Sequence, residues 1–161
     1  MPTIYIIGEI NDEAYKEFSK ELSELEEADE TDVDVEITSE GGTAFSAIAF
    51  FDRMRNSDII FSTKAIGHVE SAAVLIWMAG DKRYMTDNTW IMVHEDSGTL
   101  KSAYTHQFED TAAKWRRHEK HWCSMLAEVS KVSLEKWLEL HRKETYLNKI
   151  ECKELGILDE I

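Results

Sequence analysis

At 161 residues, 43% apolar and 31% charged, the chain is long enough to bury a sizeable core and has the balance of one soluble globular domain over 1–161. Its net charge of −14 excludes the basic footprint that nucleic-acid binding needs, and no apolar run approaches the length of a membrane span. Residues 9–40 hold fourteen acids against Lys16 and Lys20, so the charge belongs to the N-terminal quarter, where a solvated face that keeps the protein in solution is the plain reading. The N-terminus lacks the basic-then-apolar pattern of a signal peptide, and Cys123 and Cys152 form neither a disulfide framework nor a metal-ligand spacing. A reducing, cytoplasmic setting follows as the expectation.

Thr3 to Ile7 is a β-branched and aromatic run ending at Gly8, a short strand. Asn11 or Asp12 caps a helix whose Ala14, Phe18, Leu22 and Leu25 share one face. Val33, Val35 and Ile37 alternate with Asp34, Glu36 and Thr38, the period of a strand. Ser39-Glu40-Gly41-Gly42 ends it, and Thr43 opens a helix with Ala47, Ile48, Phe51 and Met54 inward. The double glycine permits unusual φ angles and close backbone approach to a ligand, or serves only as a tight turn. Asp58 to Ile66 reads as a third strand, with a turn at Gly67, and Ala72 to Ala79 as an uncharged, buried helix. Lys82 to Thr86 and Thr89 to Val93 are strands separated by Asp87-Asn88. The order βαβαβαββ predicts an α/β fold with helices covering a mainly parallel sheet.

Beyond His94 the texture changes. Glu95 to Lys101 reads as a polar loop and Ser102 to about Ser130 as one long helix, charged along most of its length but carrying Phe108, Trp115, Trp122 and Met125. So charged a helix suits a projecting arm or a subunit contact. His118, Glu119 and His121 come within one residue of a zincin spacing but lack a third ligand, and no metal is expected. Ser133 caps a helix with Leu134, Trp137, Leu138 and His141 on one side; Glu144 to Leu147 follows, then a helical turn that Gly156 stops.

Two residues in this order carry chemistry. Ser71 stands at a helix start and His94 at a strand end, which is two thirds of a nucleophilic constellation. The plainer reading is an N-cap serine and a polar strand terminus. Both readings stand on the local sequence alone.

Taken together, the segments resemble the ClpP family, the proteolytic subunit of the ATP-dependent Clp protease. Ser39-Glu40-Gly41-Gly42 is similar to the family's Ser-Pro-Gly-Gly, and Gly67 to Ala73 to its nucleophile segment Gly-x-Ala-Ser-Met-Gly-Ala. Ala79-Gly80-Asp81-Lys82-Arg83 and Met92-Val93-His94 match its Ala-Gly-x-Lys-Arg and Met-Ile-His. Glu144-Thr145-Tyr146-Leu147 and Gly156-Ile157-Leu158-Asp159 match the late Asp-x-Phe-Leu and Gly-Leu-Val-Asp. The resemblance implies a crotonase-like spiral of ββα units, with residues 97–130 forming a handle through which two heptameric rings interlock. It implies a serine peptidase acting on peptides or unfolded proteins without a cofactor: Ser71 the nucleophile, His94 the base, Glu144 in the aspartate's place, and the N–H groups of Gly42 and Ala72 the oxyanion hole. Trp115 and Trp122 are expected in the contact between rings.

The sequence departs from the family pattern at several points. Glu144 replaces aspartate, and Glu fills that role in some α/β-hydrolases. Glu70 and Ala73 stand where the family has a small residue and a glycine, and Asp96 rivals Glu144 for the third position. The matched region starts at the family's first core strand, so a short form without the axial N-terminal segment is expected, with docking to a Clp ATPase in doubt. Two other readings are a catalytically impaired subunit that assembles with or modulates a Clp complex, and a crotonase-type acyl-CoA enzyme, which needs no serine nucleophile.

Overall fold

The computed structural model describes residues 1–97, 102 and 104–159. In chain order the elements are β1 (Thr3–Ile7), α1 (Asp12–Glu27), β2 (Asp32–Ser39), α2 (Ala44–Arg55), β3 (Ile60–Glu70) and α3 (Ala72–Met78). They continue with β4 (Lys82–Met85), β5 (Trp90–Val93), α4 (Thr105–Glu128), α5 (Leu134–Arg142), β6 (Thr145–Leu147) and α6 (Lys149–Glu154). The strands form one sheet in the order β1-β2-β3-β5-β6, with β4 also paired to β3. All pairs are parallel except β5 with β6.

Strand alternation sets the inner face of the sheet. Val33, Val35 and Ile37 are fully buried while Asp34, Glu36 and Thr38 on the other face are half-buried. Against the inner face lies α1, started by Asn11, whose side chain accepts from the Ala14 N–H at 2.9 Å. Its Phe18 and Leu22 are buried. In α2 the inward set is Ala47, Phe50, Phe51 and Met54. Ile48 is only half-buried, and it is Phe50 that packs against Phe18 and Tyr15. Burying such side chains stabilises the fold by roughly 1.5–3 kcal/mol each. Every residue of α3 is buried, as its uncharged sequence predicts.

The expected turn at Gly67 is instead part of a longer strand. Gly67 has a φ of 70°, and its N–H donates to Thr89 Oγ1 at 3.0 Å. The register with β2 steps from Ile37↔Ala65 to Ser39↔Val69, so the extra residues are absorbed as a bulge. The bulge splits β3 into two halves. Ser62 to Ala65 pair with β4, and His68 to Glu70 pair with β5.

The long helix α4 has two characters. Residues 105–110 are exposed, whereas Glu119, Cys123, Met125 and Leu126 are buried against the body, where α5 packs beside them. The expected loop from Glu95 to Lys101 is described only to Ser97, and its remainder lies outside the described residues. At the far end, Arg83 ties the chain terminus down. Its N–H donates to Asp159 Oδ2 at 2.8 Å and its guanidinium to the Val129 and Ile157 carbonyls at 2.9 and 3.1 Å.

Candidate active site

The upper half of β3 runs straight into Ser71, and α3 starts at the next residue. Ser71 has φ 54° and ψ −122°, a conformation that costs a non-glycine residue about 1–3 kcal/mol. Two backbone bonds hold it there: its N–H donates to the Met92 carbonyl at 2.8 Å, and its carbonyl accepts from the Val74 N–H at 3.1 Å. The sharp strand-to-helix turn pushes the hydroxyl outward, as in a nucleophile elbow. That hydroxyl caps nothing on α3. It lies 2.8 Å from His94 Nε2, at the end of β5. For Nε2 to accept the hydroxyl proton, the ring proton must sit on Nδ1.

The glycines after β2 complete the near wall. Ile10 bridges to this loop, its N–H donating to the Gly41 carbonyl at 2.8 Å and its carbonyl accepting from the Thr43 N–H at 2.7 Å. A Cβ on Gly42 would strike the Ile10 carbonyl, so the constraint there is the bridge and not an approaching substrate. Gly41, read from the sequence only as half of the double glycine, lies against the elbow itself. A Cβ there would sit 2.7 Å from the Glu70 carbonyl and 2.8 Å from the Ser71 Cβ. Gly42 and Ala72 face a cavity of about 340 Å³ shared with Ser71 and His94. Neither N–H is used in a backbone hydrogen bond among the described residues. Two free amide donors beside a nucleophile can receive an oxyanion.

The third group is placed differently. Register pairs Val93 with Thr145, so Glu144 follows one step on, opposite His94. Glu144 has a φ of 47°, closes α5 by donating its N–H to the His141 carbonyl at 3.2 Å, and turns its side chain to solvent. Its carboxylate makes no hydrogen bond among the described residues, so the structure does not bring it to His94 as the resemblance implied. Asp96, the rival, lies 4.0 Å from His118 Nδ1.

His141 faces the cavity, buried, and sequence reasoning had placed it only on the packed side of its helix. Its Nδ1 lies 2.8 Å from the Trp137 carbonyl, an acceptor only, so Nδ1 carries the proton and Nε2 keeps its lone pair. Burial holds its pKa below the ordinary value; the Trp137 carbonyl opposes that shift, and the charge of His94 adds to it. The signal for it was a lone histidine on an apolar helix stripe, which has the same appearance when merely structural.

Glu70 and Ala73 fall away from the reacting atoms. Glu70 lines a separate groove with His68, Trp90 and Tyr146, and Ala73 is packed in the core. Trp115 and Trp122, expected in a ring contact, line the cavity beside the reacting pair. Among the described residues no three His, Cys, Asp or Glu side chains converge as metal ligands, and no helix is long and apolar enough to cross a membrane.

The family model described as Clp protease matches residues 2–161. Among solved structures, a point mutant of ClpP1 from Listeria monocytogenes is similar to this chain with a TM-score of 0.87 and 26% sequence identity. The match covers 97% of this chain and 88% of that one.

Proposed function

The chain belongs to the Clp protease family and has the ClpP fold, and from that premise we propose that it is a serine peptidase with Ser71 as nucleophile and His94 as general base. The observation that carries this reading is the 2.8 Å contact between Ser71 Oγ and His94 Nε2 on a strained elbow. As Oγ attacks the peptide carbonyl, Nε2 takes its proton; the imidazolium then hands that proton to the leaving amine, giving an acyl-enzyme. Water, deprotonated by the same nitrogen, releases the second product and restores the serine. The N–H groups of Gly42 and Ala72 hold the oxyanion in both halves. Glu144 takes the acid's role by a change of rotamer, since its register position opposite His94 supports a swing of the carboxylate toward Nδ1.

The proposed assembly is a homo-oligomeric ring, heptameric and stacked in pairs through α4, enclosing the site. Peptides and unfolded polypeptides are the substrates in this reading. A fluorophosphonate probe tests it. Wild-type protein should be labelled, Ser71→Ala should not, and an assembled wild-type ring that resists the probe would refute it. The outward carboxylate of Glu144 favours one second reading, a subunit that assembles with an impaired site; unlabelled rings are its signature.

A further inference from the structure

The cavity beside Ser71 runs under α4 and ends on a charge that the proposed chemistry leaves unused. Glu119 is only 9% exposed, and its Oε1 has no hydrogen-bond partner among the described residues. It lines the same cavity as Ser71 and His94. A carboxylate in that position is costly unless a cation or donor meets it. Its surroundings do not supply one in contact: Glu95 and Asp96 add negative charge, and Arg142 acts on it only through space. Lys114, five residues earlier on α4, lines the same cavity but is exposed, and it makes no hydrogen bond or ion pair with Glu119 among the described residues. Burial and Glu95 push the carboxyl pKa up, Arg142 opposes them, and Asp96 adds to the rise.

We propose that this cavity binds a cationic side chain, a lysine or arginine of the substrate next to the scissile bond, through the carboxylate of Glu119. The inference rests on the peptidase reading for its substrate but on Glu119 for its chemistry. Three features fit such a guest. The cavity of about 340 Å³ accommodates a long side chain and has Ser71 in its lining. Trp115 and Trp122 line its walls, giving aromatic surface for an aliphatic stem or a cation. The charged end is a buried carboxylate whose Oε1 has no partner among the described residues, so an incoming cation satisfies it, and an apolar guest leaves it stranded.

Two measurements decide the matter. The first compares fluorogenic peptides that differ only in bearing Arg, Lys, Gln or Leu on the acyl side of the cleaved bond. Wild-type kcat/KM should favour Arg and Lys over Leu and Gln by about tenfold or more, as for desolvated charge pairs. The isosteric Glu119→Gln should collapse that ratio, and Glu119→Asp should retain it. Equal or better cleavage after Leu in the wild type, or a ratio unchanged in Glu119→Gln, overturns the proposal. The second needs no turnover: benzamidine is titrated into Ser71→Ala and Ser71→Ala/Glu119→Gln while tryptophan fluorescence is followed. Saturable quenching that weakens about tenfold or more with Glu119→Gln is the expected result. Binding with a serine that resists the fluorophosphonate would sink the peptidase reading and leave the cation site standing. A reactive serine without benzamidine binding would do the reverse.

Discussion

Ser71 and Glu144 both occupy left-handed backbone conformations, and the two uses differ. At Ser71 the strain is held by the Met92 carbonyl and aims a hydroxyl at His94. At Glu144 the same region of φ ends a helix and turns a carboxylate away. Between them sits His141, whose ring is held neutral by burial while its proton points to Trp137. The sign of its effect on stability follows. Its folded pKa lies below the ordinary 6.5, so the unfolded chain binds the proton first. The stabilisation is complete above pH 6.5 and is lost as pH falls below it. His141→Gln, which cannot take the proton, should therefore flatten the acid side of the stability curve. Urea unfolding near pH 7.5 and pH 5.5 should show the wild type losing up to about 1.4 kcal/mol more than the variant over that interval. Equal losses would mean that His141 is not titrating against the fold.

At the scale of elements, the strand that presents Ser71 depends on its bulge. Thr89 Oγ1 accepts from the Gly67 N–H at 3.0 Å, lies 3.3 Å from the Ala65 carbonyl and is 2.6 Å from Thr86 Oγ1. Thr89→Val keeps the shape and removes these bonds, leaving the Gly67 N–H at the bend without its partner. The expected cost is about 1–3 kcal/mol in urea, with Ser71 labelling slowed because the elbow is hung from the upper half of β3. A variant as stable and as reactive as the wild type would show that the bulge holds itself. This bulge also marks what the sequence could reveal. Period-2 alternation in β2 and the apolar faces of α1 and α3 were legible because they are local. The run of β3 through Gly67 was not, since a hydroxyl 22 positions away and a register step in β2 decide whether a glycine turns the chain or bends it. Gly42 and Ala72 were legible by resemblance, but Gly41 shows its constraint only where two loops meet. Glu119 was singled out only for its near-zincin spacing with His118 and His121, because nothing local distinguishes a solvated glutamate from one turned into a cavity.

For the whole molecule, the distribution of charge and the two halves of α4 bear on assembly. Trp122 packs against the core and Trp115 lines the cavity, whereas the start of α4 is exposed. Tyr104 is 77% exposed and Phe108 49% exposed there, large apolar groups on a helix otherwise bristling with charge. Every copy also carries the acids of α1 and β2, which hold most of the −14. Like charges at that density oppose association and are screened over about 8–10 Å at physiological salt. Two consequences can be measured on one instrument. Native mass should rise with ionic strength, as salt screens the acids while leaving the apolar contact. Tyr104→Ser/Phe108→Ser should lower the mass of the salt-assembled species by about half if two rings meet through α4, since the interface core would lose its apolar anchors. Its unfolding midpoint at low salt should stay within about 0.5 kcal/mol of the wild type, because both side chains are largely in solvent. An unchanged mass in the double variant would remove α4 from the contact; a mass that falls with salt would show that charge pairs, not apolar burial, join the subunits.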